Sequence, residues 1–337
     1  MSTLTFAVRR SARSSRVGTL GLAAVAIILA ALPFIAFESV TSKLVALFVL
    51  IIIASMWNLL AGFGGLVSIG QQAFIGIGAY TVIGLADLGV SPFFALVVAV
   101  LTSVLFAIPT SWLAFRLRGD YFAVGTWVIA EVYRLLLSKV DTLGGSSGRS
   151  LAGMAGIDST VRAALTYWAA LAVTLLTIAG CYWLLRGRTG LALTAVRDDE
   201  VAARSVGVDV TRAKRIVYLA SAAGCGAAGG LLVIDALSVQ PNAIFSVQWS
   251  AYMIFIVVIG GIGYLEGPIL GAVVFFGLQQ LLADAGTWYL IVLGAIAMLA
   301  AIWLPRGLWG QIVHSTGVRL FPVGYHLTHQ EREGDAS

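Results

Sequence analysis

Between Arg186 and Arg215 the chain carries seven Lys/Arg (Arg186, Arg188, Arg197, Arg204, Arg212, Lys214, Arg215) and four acids (Asp198, Asp199, Glu200, Asp209), in a sequence otherwise dominated by apolar residues. Charge of both signs at this density suits ion pairing with a soluble partner. Within it, Asp198 to Gly207 has the ends of a short helix. Asp198 is placed to N-cap it, Asp199 and Glu200 suit its positive end, and Gly207 is a natural C′ residue. Glu200, Ala203 and Gly207 recur at i, i+3 and i+7 and share one face, small enough for another protein to approach closely. An ordinary charged loop would carry the same residue types.

A second pair, Glu131 and Arg134, interrupts the apolar segment 121–139. An unpaired acid near mid-bilayer costs several kcal/mol, and a cation at i+3 partly neutralises it. The pair reads either as the lining of a translocation path, meeting a substrate ammonium or ordering water, or as a buried pair that fixes helix packing. The glycines Gly62, Gly64, Gly65, Gly76 and Gly78, then Gly260, Gly261, Gly263, Gly267 and Gly271, let helices approach closely and bend. They read either as tight packing or as a hinge and gate.

Other chemistry is excluded by what is missing. A phosphate-binding loop needs Gly-Lys followed by Ser or Thr. The three lysines Lys43, Lys139 and Lys214 follow Ser42, Ser138 and Ala213, so ATP hydrolysis would reside on another chain. The three His (His314, His326, His329) all lie in the C-terminal tail, which removes nucleophile–His–acid sites and His-ligated metals from the apolar body. Cys181 and Cys225 sit in apolar stretches and form no disulfide framework. No cofactor is expected, and the net charge of +5 is carried mostly by Lys/Arg flanking apolar runs, which is not a nucleic-acid pattern.

The elements that must position these residues follow from composition. Hydrophobic residues make up 59% of the chain and charged residues 11%, against roughly 25% charged in soluble domains. The fold class is therefore all-α, a polytopic membrane protein. Charges divide it into uncharged runs at 17–37, 44–86, 88–115, 163–185, 216–234, 236–265, 267–283 and 285–305. With about 20 residues per span, run 44–86 is two helices broken near Gly62–Gly65, 121–139 is a further span, and 236–265 opens with Gln240-Pro241-Asn242 and leaves one helix. The expected total is about ten transmembrane helices. Met1–Arg16, with Arg9, Arg10, Arg13 and Arg16 and no acid, reads as a cytosolic N-terminus before an uncleaved first helix, and its Arg/Ser-rich, acid-free composition also fits an organelle transit peptide. An even count then returns Arg116/Arg118, 186–215 and Arg306 to the same side. It leaves Glu38–Ser42, Asp87–Ser91, Lys139–Thr160, Ala236–Gln248 and Asp284–Gly286 outside. Residues 1–310 form the transmembrane domain, with 186–215 as its cytosolic coupling loop, and 311–337 a polar cytosolic tail, expected to be unstructured after His314. Gly62–Gly65 and Gly260–Gly263 each precede a Gly-rich helix and then a return helix ending in Arg, an echo that suggests two duplicated halves.

Glu-x-Ala-Ala-x-x-x-Gly in a cytosolic loop resembles the coupling-helix pattern of ABC importer permeases. The neighbouring stretches resemble more narrowly the LivM-type permeases of branched-chain amino-acid importers. They are Asn58-Leu-Leu-Ala-Gly-Phe-Gly-Gly-Leu-Val-Ser-Ile-Gly70, Ala73-Phe-Ile-Gly-Ile-Gly-Ala-Tyr80, Arg116-Leu-Arg-Gly-Asp-Tyr-Phe-Ala123, Ala195-Val-Arg-Asp-Asp-Glu-Val-Ala-Ala203, Gly260-Gly-Ile-Gly263 and Leu304-Pro-Arg-Gly-Leu-Trp-Gly310. The resemblance runs from about residue 43 to 310. Gln71-Gln72 departs from it where the family often has His, and the 140–160 loop is poor in acid. It implies a non-enzymatic subunit of the bacterial inner membrane, embedded in lipid and paired with a second, related permease. Two cytosolic ATPases would dock at Asp199, Glu200, Ala202, Ala203 and Gly207, and an extracytoplasmic binding protein would deliver leucine, isoleucine, valine or a small amide such as urea. The competing reading is an ion-driven secondary transporter with Glu131 as coupling carboxylate.

Overall fold

Residues 44–57 are apolar on every side, and a helical stretch with no polar face belongs in the interior. In the computed structural model this segment lies in the central helix. The structure describes residues 6–9, 21, 25–35, 37–154, 156, 158–282, 288–316, 320–321 and 326–329. Residues 17–20, 22–24 and 36 of the first apolar run, the basic start at Arg10–Arg16 and the expected Asp284–Gly286 loop lie outside the described residues. In chain order the elements are β1 (Phe6–Arg9), α1 (Val25–Phe34), α2 (Glu38–Asn58), α3 (Gln72–Asp87), α4 (Pro92–Ala114) and α5 (Asp120–Leu137). They continue with β2 (Arg149–Ser150), α6 (Ser159–Arg186), α7 (Arg188–Asp198), α8 (Glu200–Ser205), α9 (Val210–Ala236), β3 (Ser238–Val239) and α10 (Pro241–Ile244). The last are α11 (Gln248–Gly260), α12 (Gly267–Leu281), α13 (Trp288–Trp303), α14 (Gly307–Thr316) and β4 (His326–His329).

Among the described residues, six helical stretches are long and apolar enough to span a bilayer: Glu38–Phe63, Pro92–Ala114, Ser159–Arg186, Val210–Ala236, Pro241–Gly260 and Ile291–Thr316. Around α2 pack α6, α9, α11 and α12. The outer faces of α4, α6 and α13 expose Leu101, Leu105, Leu176, Trp183 and Ile302, which suits contact with lipid tails. Helices α3 and α9 cross backbone to backbone. A Cβ on Gly78 would sit 2.1 Å from the Gly226 carbonyl oxygen, and one on Gly229 would sit 1.9 Å from that of Ile75.

The 44–86 run is two helices, as its length requires. α2 continues into a single π-helical turn at Leu59–Phe63, after which the chain runs irregularly to Gln71. The Trp57 indole N–H donates to the Ser68 carbonyl at 2.8 Å and pins this irregular stretch against α2. A similar interruption follows α11, where Gly261 adopts φ +125° and Pro268 opens α12. With 16 and 15 residues, α3 and α12 are about 24 and 22 Å long, short of a ~30 Å hydrocarbon core.

Three of the loops expected outside meet at one end of the molecule. β2 pairs antiparallel with β3 (Arg149↔Val239, Ser150↔Ser238), and Arg149 bridges Asp87 at 3.2 Å. The start of α9, with α7, α8 and Arg118, lies at the opposite end. Past residue 310, α14 continues to Thr316, and the Phe321 amide donates to the Glu266 carboxylate at 2.7 Å. His326–His329 pairs antiparallel with Phe6–Arg9, so the backbone groups of both ends find partners in each other.

Candidate coupling and gating site

The short helix α8 is built by its caps. Asp199, not Asp198, is the N-cap: its Oδ1 accepts from the Val201 and Ala202 amides at 2.8 and 3.0 Å, while Asp198 closes α7. At the other end the Gly207 amide donates to the Arg204 carbonyl and the Val208 amide to the Ala203 carbonyl, both at 3.0 Å. These are the two bonds of a Schellman cap, and they require the φ of +86° that Gly207 supplies.

The expected common face of Glu200, Ala203 and Gly207 is corrected by packing. Ala203 is 2% exposed and buried against Val196 and Val210, so it holds α8 onto α7 and α9 rather than touching a partner. Glu200, its side chain 42% exposed, is held by its neighbours, accepting from Lys214 Nζ at 2.6 Å and Arg204 Nη2 at 2.8 Å. Those two cations, Lys214 first, hold its carboxyl below the ordinary carboxylate range. The outward face is Val201 (75% exposed), Ala202 and Val206 (79%). Two exposed valines on a capped, six-residue helix make a small apolar knob at the end of the membrane bundle.

Behind that knob the expected gate glycines come together. Asn58, at the end of α2 and 1% exposed, accepts from the Gly263 amide at 2.9 Å and donates to the Tyr264 carbonyl at 2.8 Å. A Cβ on Gly62 would lie 2.7 Å from the Gly263 nitrogen, so the two interruptions touch through bare backbone. Gly65 (φ +65°), Gly261 (φ +125°) and Gly263 (φ +77°) occupy the region that L side chains rarely adopt. Gly260 is needed for packing, because its Cβ would meet the Gly267 carbonyl at 1.9 Å, and a Cβ on Gly64 would meet the Leu60 carbonyl at 2.7 Å. Arg197, at the end of α7, donates from Nη1 to the Gly62 carbonyl at 3.1 Å. Further along the irregular stretch, Gln71 is fully buried. Its Oε1 lies 3.2 Å from Ser221 Oγ and 3.7 Å from Cys225 Sγ, both on α9.

Glu131 and Arg134 stand apart from this cluster. The guanidinium grips both carboxylate oxygens and its Nη1 donates to Asn242 Oδ1 of α10 at 2.6 Å. The side chains are 46% and 23% exposed, and Glu131 lies on an outward stripe of α5 with Tyr121, Val124, Val128 and Leu135. Between α5 and α8 a cavity of about 830 Å³ is lined by Gly65, Phe115, Arg118, Asp120, Glu200 and Lys214 among others. It mixes both signs of charge with apolar wall. Among the described residues, no group of three or more His, Cys, Asp or Glu is placed to hold a metal ion.

Sequence reading did not single out Arg197 and Asn58. The available signal was a buried-type Asn just before a Gly-rich break and an Arg just before a helix cap. Neither spacing reveals partners 135 and 205 residues away.

Apolar spans interrupted at mid-chain, with a capped surface helix fastened to the interruptions, define a helical membrane permease. The chain belongs to the family described as branched-chain amino acid transport system / permease component, whose model matches residues 39–301. It is 31% identical to the high-affinity branched-chain amino acid transport system permease protein LivM of Salmonella typhimurium, over 85% of this chain and 74% of that protein. The LivM protein of Escherichia coli is 30% identical over the same shares. The fructose import permease protein FruG of Bifidobacterium longum is 24% identical over 75% of this chain and 78% of its own length. No solved structure matches.

Proposed function

We propose that this chain is the membrane-spanning permease subunit of an ATP-binding-cassette importer for branched-chain amino acids, working with a second permease, two ATPase subunits and a solute-binding protein. The observation that carries this reading is α8. It is a rigidly capped helix with Val201 and Val206 turned outward, keyed through Arg197, Lys214 and Ala203 to the interrupted membrane helices. An ATPase that held α8 differently in its open and closed states would bias the junction between two arrangements, since a partner shifts an equilibrium only by differential binding. Asp199, Glu200, Ala203 and Gly207 then shape α8, Ala202 lies on the docking face, and the Gly62–Gly65 and Gly260–Gly263 segments form the gate. The names of the LivM relatives support leucine, isoleucine and valine as cargo.

Several finer features belong to the same proposal. The α8 end faces the cytosol of a bacterial inner membrane, as do both termini, a reading supported by the concentration of Lys/Arg there and by the β1–β4 pairing. With α1, α3, α5 and α12 added to the six long spans, the count reaches ten. The duplication is supported by the like course of α2–α3 and α11–α12, each a helix, a glycine break and a half-length helix. The outward α5 stripe faces the second permease or the path between the two, because a half-exposed Glu–Arg pair is unfavourable against lipid.

The test is purification of the tagged chain from its native membrane in mild detergent, followed by leucine uptake into liposomes by whatever complex is recovered. A second polytopic chain and two ATPases, with uptake that requires ATP, are expected. A chain that arrives alone and moves solute under an ion gradient without ATP, with Glu131→Gln abolishing uptake, overturns the proposal.

A further inference from the structure

We infer that Arg197 is a positioning residue that transmits the movement of α8 to the junction of the two broken membrane helices. The inference rests on the permease reading and adds the residue through which its two halves communicate. Three observations carry it.

The first is an available acceptor. In a continuous α-helix the Gly62 carbonyl would be taken by the amide of Leu66. In the π-helical turn that amide instead donates to the Leu60 carbonyl at 3.0 Å, and Gly64 donates to Leu59 at 3.2 Å. The Gly62 carbonyl is thus released from the helix, and Arg197 Nη1 occupies it at 3.1 Å. A backbone acceptor in the interior needs a donor, so the guanidinium has a defined task there.

The second is the place of contact. Gly62 is where one interruption meets the other, and Asn58 sews the two together through the Gly263 amide and the Tyr264 carbonyl. A Cβ on Gly263 would lie 3.4 Å from both Arg197 Nη1 and the Gly62 oxygen, so the guanidinium tip sits at the crossing itself.

The third is what lies on the other side of Arg197. Two residues on is Asp199, the cap of α8, and one residue back is Val196, packed with Ala203 and Val210. Displacing α8 therefore moves the root of Arg197. The Nε of the same guanidinium lies 3.6 Å from Asp198 Oδ1, so one planar group serves the carbonyl and the carboxylate together. A lysine ammonium has no such fork and would serve them only one at a time.

The experiment reconstitutes the whole importer, as it co-purifies, in liposomes and measures leucine uptake and ATP hydrolysis in the same vesicles. Arg197→Ala removes the contact, Arg197→Met removes the donors while keeping the packing of the stem, and Arg197→Lys keeps the charge. Assembly and basal ATP hydrolysis are expected to stay near wild type. Uptake per ATP should fall ~10-fold in the Ala and Met variants, within the range of a coupling free energy between sites, with part of it restored in Lys. Unchanged uptake per ATP in Arg197→Met overturns the inference, as does a parallel loss of hydrolysis and uptake with their ratio preserved, the mark of a merely structural role. Wild-type uptake that proceeds without ATP instead overturns the permease reading, whatever Arg197 does.

Discussion

At the scale of single residues, the glycines divide by the reason for their presence. Gly207 has open space around the position of a Cβ, so only its φ of +86° demands glycine. Gly207→Val should therefore unseat the α8 cap at a cost of order 1–3 kcal/mol, whereas Gly207→Asn, which tolerates left-handed backbone, should largely keep it. Amide hydrogen exchange over 200–208 checks this: fast exchange in Val with near-wild-type protection in Asn is expected. Equal behaviour of the two would mean that glycine serves something other than the turn. Ala203 is the opposite case. Its methyl fills the space between Val196 and Val210, so Ala203→Arg would push α8 off the bundle instead of merely blocking a docking face.

Among the elements, α3 and α9 cross backbone to backbone, joining the helix that follows the Gly62–Gly65 break to the one that carries α8 at its root. At Gly229 an added Cβ would strike the Ile75 backbone 1.9 Å away. At Gly224 it would strike the Met56 sulfur at 2.4 Å, the flexible end of a side chain. Gly229→Ala should then destabilise by about 1–3 kcal/mol, as overpacking against an unyielding wall does, and Gly224→Ala by clearly less. Thermal unfolding of the two variants in detergent gives the comparison, and a larger drop for Gly224→Ala would contradict the packing described. The same logic accounts for α8 itself. Six residues cannot hold a helix by propagation alone, so its persistence is owed to caps and to the Val196–Ala203–Val210 contact.

For the whole molecule, the ordering of charge and of loops amounts to a sidedness. The β2–β3 ladder and the Asp87–Arg149 bridge lie at one end, and α8 with its neighbours lies at the other. Both native cysteines are buried, so single introduced cysteines can report accessibility without a background. Ser147→Cys and Val206→Cys, both at exposed positions, should react with an impermeant thiol reagent from opposite faces of sealed vesicles, Val206→Cys from the cytosolic face. Labelling of both from one face would refute the sidedness. The central place of α2 gives the bundle its hub: the π-helical turn with Gly62 continues from it, and α11 and α12, on either side of Gly261–Gly263, pack on it.

The sequence alone determined the class of protein, the division of 44–86 into two helices, and the position of α8 to within one residue of its cap. Those features are set locally. A bilayer fixes the length of an apolar run, and a helix end is fixed by the residues within a turn of it. Family membership was legible too, because short motifs survive as contiguous strings. The tertiary structure alone decided that Ala203 faces inward and that Glu200 is engaged by Lys214. It also decided that the Glu131–Arg134 pair is tied to Asn242, and that Arg197 and Asn58 meet the two breaks. Each of those joins different elements of the fold. Neither residue type nor spacing encodes which partner a guanidinium or a carboxamide will find once buried carbonyls and amides compete for it.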